Sequence, residues 1–512
     1  MKILDKMKDK VRKAMKNFLQ LQEAQNSTIY IQESLTQEAN IVKNKIWYRG
    51  DSYELEQLYK QINNNNHSFW GTVPTVGMEI RKIHTGLPKL IVNTLVNIVH
   101  NDLNSIDFEN EDTEKVWEEI EKDNKLLSLL KKATKDVLIT GDGAFKISFD
   151  ETVSNLPIVE FYAADKIDIV RNRGRVKEIV FFTEYNYNHN RYILHETYGY
   201  GYITYNLFDN YDNEIDITSI PDTAELQDIS FDNSFMMAVP YVIFESDKWE
   251  GRGQSIFDGK CDNFDAIDEA WSQWIDALRA GRSKTYIPES LIPRNPETGE
   301  LLKPSCFDNR YIKTDTYNGE GFTPTIDTEQ PTIPTDNYLQ TYVTALDLCL
   351  QGLISPSTLG IDNKKLDNAE AQREKEKTTL YTRDSIIEAL DDVIPELVNA
   401  ILKANKTWND ESIEDNEVTI KFGEYACPSF EAVVETVGKA KQYGVMSVER
   451  AVEELYGDTM TKEEKEKEVQ LIKEQNGMLE AEEPKVTDDE DLENIDNEGT
   501  KEDKNDGDVD EE

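Results

Sequence analysis

Between Phe257 and Leu278 the residues Phe257, Cys261, Phe264, Ile267, Trp271, Trp274 and Leu278 recur every three or four positions. That is the period of an α-helix, so the segment predicts a long helix with a bulky apolar stripe. Asp258, Asp262, Asp265, Glu269 and Asp276 keep the same period one position on, which sets an acidic stripe beside the apolar one. A second, nearly uncharged helix is predicted over 337–354, with Leu339, Val343, Leu346, Leu350 and Leu353 on one side. The Pro-rich stretch between them, KTYIPESLIPRNPETGELLKPSCFDNRYIKT, has room only for short strands. Two struts holding a small β-containing cap constrain the fold more than any other feature.

Upstream, KLIVNTLVNIV from Lys89 to Val99 is a buried helix or strand, and TEKVWEEIEKDNKLLSLLKKATKDVLIT from Thr113 to Thr140 reads as one amphipathic helix stopped by GDG. The period then changes to alternation. AFKISFD, PIVEFYAADKIDIV, VKEIVFFTEY, NRYILHET, GYITYNLF and VPYVIFE predict an antiparallel sheet region to about Glu245. Downstream of the second strut, SPSTLGIDNKKL is a polar loop. A very long helix then begins near Asn368, with Pro395 expected to kink its later part. Helices at 429–443 and 447–455 and a charged helix to about Asn476 complete an α+β chain.

The 512 residues carry a formal net charge of −44, and the 34 residues from Leu479 hold 17 Asp or Glu against three Lys. Such a tail cannot bury enough surface to order itself. The body remains strongly acidic without it, which excludes general wrapping of DNA, since phosphate binding needs Lys and Arg to release counterions. The first 19 residues reverse the sign. Ile3, Leu4, Met7, Val11, Ala14, Met15, Phe18 and Leu19 fall at helical spacing among lysines, predicting a basic amphipathic helix that docks on the parent fold or a partner, or binds a membrane surface. No apolar run is long enough to span a bilayer, which predicts a soluble product. Four scattered cysteines fit a reducing compartment.

Chemistry is sought and not found. GRGQS lacks the third glycine of a dinucleotide fingerprint, and GDGAFKIS lacks the GK[ST] ending of a phosphate loop. The five histidines form no HExxH, no GxSxG is present, and with 100 Asp and Glu neighbouring carboxylates carry no information. The expectation is a non-enzymatic chain with no catalytic residue, metal or cofactor.

WYRGDSYELEQLY, FWGTVPTVGMEIRKIHTGLPKLIVNTLVNIV, VPYVIFES, GQSIFDGKCDNFDAIDEAWS, LISPSTLGID and NAEAQREKEKTTLYTRDSI follow one another, in this order and at this spacing, over roughly Ile46 to Gln475. The chain thereby resembles the portal proteins of tailed bacteriophages, especially of siphoviruses of Gram-positive hosts. The resemblance implies a portal fold: beyond a basic helical region over 1–45, an α/β wing over 46–254, a two-helix stem over 255–282 and 336–354, and a clip over 283–335. It further implies a tunnel loop over 355–367, a long spine helix with a return to the wing over 368–423, and a helical crown over 424–478, ahead of the acidic tail at 479–512. It implies a homo-oligomeric ring, usually of twelve subunits, at one capsid vertex of the virion, assembled in the host cytoplasm with capsid and scaffolding proteins. Double-stranded DNA would pass through it during packaging and ejection, and the terminase large subunit and a head-tail adaptor would dock on it.

On this resemblance Asn363, Lys364, Lys365 and Leu366 form the tunnel loop that touches DNA. Asp258, Asp262, Asp265, Glu269 and Asp276 form an acidic stem face on the channel or the outer wall, and Phe257, Phe264, Trp271, Trp274 and Leu278 pack the stem within and between subunits. Two other readings stay open: a carboxylate-metal nuclease, and an acidic protein that mimics DNA.

Overall fold

The computed structural model describes residues 35–62, 68–73, 80–108, 110–302, 311–314, 325–361, 369–423, 430–456 and 462–475. The basic N-terminal segment and the acidic tail lie outside them. The chain divides into two units, Met1–Tyr425 and Ala426–Glu512.

The first unit begins with α1 (Gln37–Arg49), α2 (Ser52–Ile62) and α3 (Leu87–Asp102). The run left open between helix and strand is the helix α3. Gly86 starts it at φ 73°, Pro88 sits in its first turn, and Leu87, Ile91, Val92, Leu95, Val96 and Val99 are buried along one side. The single helix expected over 113–140 is two, α4 (Glu111–Asn124) and α5 (Leu126–Thr140), because Lys125 takes a left-handed φ of 50°. Asn124 fixes the break. Its Nδ2 donates to the Ile120 and Pro157 carbonyls at 3.0 and 2.8 Å, and its Oδ1 accepts from Val159 N at 2.8 Å. A polar side chain that reaches a neighbouring strand overrides a continuous apolar period.

Strand Asp142–Asp150 lies between Ser154–Ala163 and Ala238–Val242 in an antiparallel three-stranded sheet. An antiparallel meander follows: Ile167–Asn172, Arg175–Tyr187, Asn190–Gly199, Tyr202–Phe208 and Glu214–Ile215, with Ile229–Ser230 also pairing to the fourth strand. Alternation buries Ile179, Phe181, Leu194, Tyr198, Ile203 and Leu207 on one face. Lys146 of the three-stranded sheet and Glu196 of the meander meet at 2.7 Å, both nearly buried.

The two glycine motifs explain each other. A Cβ on Gly253 would stand 2.1 Å from the Gly141 carbonyl oxygen, so only glycine permits GRG and GDG to touch. Asp142 between them is fully buried and receives Arg252 Nε and Nη2 at 2.8 and 3.0 Å and Gly253 N at 2.7 Å. Its carboxylate is saturated by the chain's own donors.

The struts are α6 (Cys261–Ala280) and α7 (Thr335–Leu350), shorter than the spans 255–282 and 336–354. Gly259 at φ 75° separates Phe257 and Asp258 from α6, and Gly352 at φ 77° cuts off the end of the second strut. Between them Lys284–Pro288 pairs in parallel with Tyr311–Thr314 and antiparallel with Asp327–Glu329. Helix α8 (Ala369–Trp408) is 40 residues long and contains Pro395 without ending there. Strand Val418–Phe422 then pairs with Leu103–Phe108, and Arg383 of α8 ties this corner by donating to Asp102 at 2.8 Å and to the Gly423 carbonyl at 2.7 Å. The main hydrophobic core joins α3, α5, the three-stranded sheet, the base of α6 and the second half of α8.

The second unit holds α9 (Phe430–Gln442), α10 (Val448–Tyr456) and α11 (Lys462–Gln475). Val448, Ala451 and Val452 of α10 are buried, and Lys473 of α11 pairs with Glu449 at 2.6 Å.

Candidate functional site

The α6–α7 pair is the candidate site, and it is held in two ways. At the N-terminal end of α6, Lys260 Nζ donates to the Leu348 and Gln351 carbonyls at 3.2 and 2.7 Å, and Asn263 Nδ2 to Leu348 O at 3.2 Å. A cation thus sits on the negative end of α7. Further along, Trp271 lies 5.6 Å from Tyr342, and Trp274 stacks on Tyr338 at 6.4 Å with planes 10° apart. The helices are therefore antiparallel, zipped by aromatic rings worth about 0.5–1.5 kcal/mol per pair beyond their burial.

The acidic stripe does not form one solvent-facing row. Asp258 Oδ1 accepts from Asn40 and Asn44 of α1 at 2.9 and 3.1 Å. Asp265 is 8% exposed and accepts from Phe69 N and Trp70 N at 2.7 and 3.2 Å. Burial pushes its carboxyl up to about 6, against the two N–H bonds that pull it down and with Asp268 and Glu269 adding to the rise. Asp262 is exposed, while Glu269 and Asp276 are half-buried. Two of the five predicted carboxylates are thus consumed in anchoring the chain to itself.

The anchor's centre is a residue outside the predicted set. Asp268 is fully buried, with Trp70 Nε1 at 3.2 Å, His84 Nδ1 at 2.7 Å, and Thr85 N and Oγ1 both at 2.8 Å. One turn on, Ser272 Oγ accepts from Ile83 N at 2.9 Å. Phe69, Trp70, Ile83, His84 and Thr85 are strapped to α6 by these groups. The signal lay in the pattern: Asp268 falls between Phe264, Ile267 and Trp271, inside the apolar stripe, where a carboxylate must be buried and fully bonded.

Phe257 and Phe264 sit in the core at 0% and 1% exposure, Trp271 and Trp274 are half-buried in the seam between α6 and α7, and Leu278 is exposed. The tryptophans thus pack against the chain's own second helix. The one-sided row predicted for that helix splits: Leu346 and Leu350 are buried and Leu353 is half-buried, whereas Leu339 and Val343 are 51% and 45% exposed. Asn337, Gln340, Thr341, Thr344, Ala345 and Leu348 line a shallow groove of about 490 Å³, and Asp336 and Asp347 are the two charged residues that α7 exposes.

Asn363, Lys364, Lys365 and Leu366 lie outside the described residues. The loop's near end is described, and it is pinned to α8. Thr379 Oγ1 accepts from Ser355 N at 2.9 Å and lies 2.8 Å from Thr358 Oγ1, and Thr382 Oγ1 donates to Leu353 O at 2.7 Å. Among the described residues no three His, Cys, Asp or Glu gather as a metal site, and no helix is long and apolar enough to cross a membrane.

A family model described as "Phage portal protein, SPP1 Gp6-like" matches residues 28–481. The chain belongs to that family of phage portal proteins. A comparison with curated proteins finds no match. Among solved structures, this portal chain is similar to a chain from the neck of a native GTA particle computed with C12 symmetry, at 12% identity and TM-score 0.37, covering 75% of this chain and 90% of that one. It is also similar to a chain from the neck of an empty GTA particle computed with C6 symmetry, at 13% identity and TM-score 0.35, covering 80% and 96%.

Proposed function

We propose that the chain assembles into a ring of twelve copies at one vertex of a phage capsid, forming the conduit through which double-stranded DNA is packaged and ejected. The ring would also be the platform for the terminase large subunit and a head-tail adaptor, built in the host cytoplasm together with capsid and scaffolding proteins. Family membership over residues 28–481 carries this reading. The α6–α7 pair supports it physically: α7 is secured to α6 on one side and leaves the neighbouring Leu339 and Val343 exposed, an apolar pair that a neighbouring copy would cover.

In the ring, α6 and α7 are the stem, the three-stranded insertion the clip, and the α9–α11 unit the crown. Asp262, Glu269 and Asp276, which the anchor does not consume, supply the negative stem surface along which phosphates slide without adhering. Asn363, Lys364, Lys365 and Leu366 supply the loop contact with DNA, with the two lysines the cationic grip in an acidic tube. Electron microscopy and native mass measurement of the purified chain test the ring. Closed rings with a central hole are expected, and a compact monomer at micromolar concentration overturns the reading.

A further inference from the structure

The outer face of the meander is not the charged surface that solvent asks of a one-sided antiparallel sheet. Register places Phe182 opposite His195 and Ile193 opposite Phe208 on the face turned away from Phe181 and Leu194. The His195 ring lies 4.7 Å from Phe182 and 4.2 Å from Phe208, and burial holds its pKa below the ordinary range, so it is a neutral ring in an apolar strip. Val180 extends the strip beside Phe182, and all five residues are half-buried. Val180, Phe182, Ile193 and Phe208 pack against neither hydrophobic cluster of the described residues. The rim at the Phe208 end is acidic, with Asp209, Asp212, Glu214 and Glu184 against Arg191.

We propose that this strip is the seat of the chain's own N-terminal segment, Met1–Leu19. That segment lies outside the described residues, and its sequence is complementary on both counts. Ile3, Leu4, Met7, Val11, Phe18 and Leu19 recur at helical spacing, and seven Lys or Arg accompany only two Asp. An amphipathic helix laid on the strip would give the sheet a second covered face, the layer arrangement in which sheets are stable. The reach suffices. Lys45 of α1 meets Asp165 beside the first meander strand at 2.7 Å, and that strand is three spacings, about 14 Å, from the strand ending at Phe208. The 15 residues from Gln20 to Glu33 and Ser34 span up to about 50 Å when extended.

The test uses the full chain, and its footprinting variant alters only the occupant. Carbene footprinting of the unmodified protein should label Phe182, Ile193 and Phe208 weakly, and Met7→Asp with Val11→Asp should raise that labelling several-fold while the oligomeric state stays unchanged. Raising the salt concentration should move the unmodified protein part of the way, since the rim contacts are screened. Strong labelling in the unmodified chain, or labelling that the double variant leaves unchanged, overturns the proposal. Photo-crosslinking from benzoylphenylalanine at Phe208 identifies the occupant. Adducts within Met1–Leu19 are expected, whereas adducts to another segment or to a co-purified protein overturn it.

Discussion

α6 and α7 lie against each other along one aromatic seam, yet they meet the rest of the molecule in opposite ways. α6 carries acid throughout and sinks part of it: Asp265 and Asp268 take backbone and side-chain donors from Phe69, Trp70, His84 and Thr85, and Phe264 and Ile267 enter the core. α7 has almost no charge and stays outside, with only Leu346, Cys349 and Leu350 buried. Charge on a helix therefore does not mark its solvent face here. The more charged helix is bound to its own chain, and the helix with less charge leaves Leu339 and Val343 exposed.

Removing the centre of the α6 anchor should have the largest effect on the folded chain. Asp268→Ala leaves the donors of Trp70, His84 and Thr85 buried without an acceptor, and a loss of about 3–5 kcal/mol is expected by denaturant titration. A stable Asp268→Ala chain would mean that α7, not α6, holds the pair in place.

The next effect depends on pH. Asp265 keeps its proton to about 6 in the fold against 3.8 as the ordinary value, so its contribution is full below the unfolded value and is lost as pH rises through the folded one. Between about pH 4 and 7 the unmodified chain should lose roughly 3 kcal/mol that Asp265→Asn does not lose. Melting curves of the two proteins across that window provide the measurement, and parallel pH profiles would contradict the buried anchor.

Trp274→Ala should cost about 2 kcal/mol, below the ~3–5 of a fully buried aromatic because the ring is only half-buried. Its indole N–H, buried without an acceptor among the described residues, reduces the loss further. The outer face of α7 should matter least for the fold. Leu339→Asp with Val343→Asp should change chain stability by no more than about 0.5 kcal/mol, as surface substitutions do, while abolishing the oligomer seen by native mass measurement. An intact ring in that double variant would place the seam between copies elsewhere.

Periodicity in the sequence located both struts and the 40-residue helix, because each is a long segment with repeating apolar residues, and Pro-rich composition located the β insertion between the struts. It could not say which of two adjacent α6 stripes would be covered. The cover comes from Phe69, Trp70 and the residues Ile83 to Thr85, nearly two hundred residues upstream, where the sequence has no repeating pattern. The same limit explains the glycines: GDG and GRG each look like half of a ligand loop when read alone, and only their contact shows that each is the other's partner. The break at Lys125 was hidden because a single Asn side chain bonded to a distant strand decides it.

The anchor at the base of α6 also has a mechanical meaning. Asp258, Asp265 and Asp268 clamp one end of the antiparallel pair, and the three-stranded insertion rides on the other, with the end of α6 at Ala280 about 18 Å beyond Asp268 at 1.5 Å per residue. The pair is a lever with its fulcrum inside the core. A tilt of some ten degrees at the clamp moves the insertion by roughly 3 Å over that length, and a force applied at the insertion arrives at the buried carboxylates multiplied by the same arm.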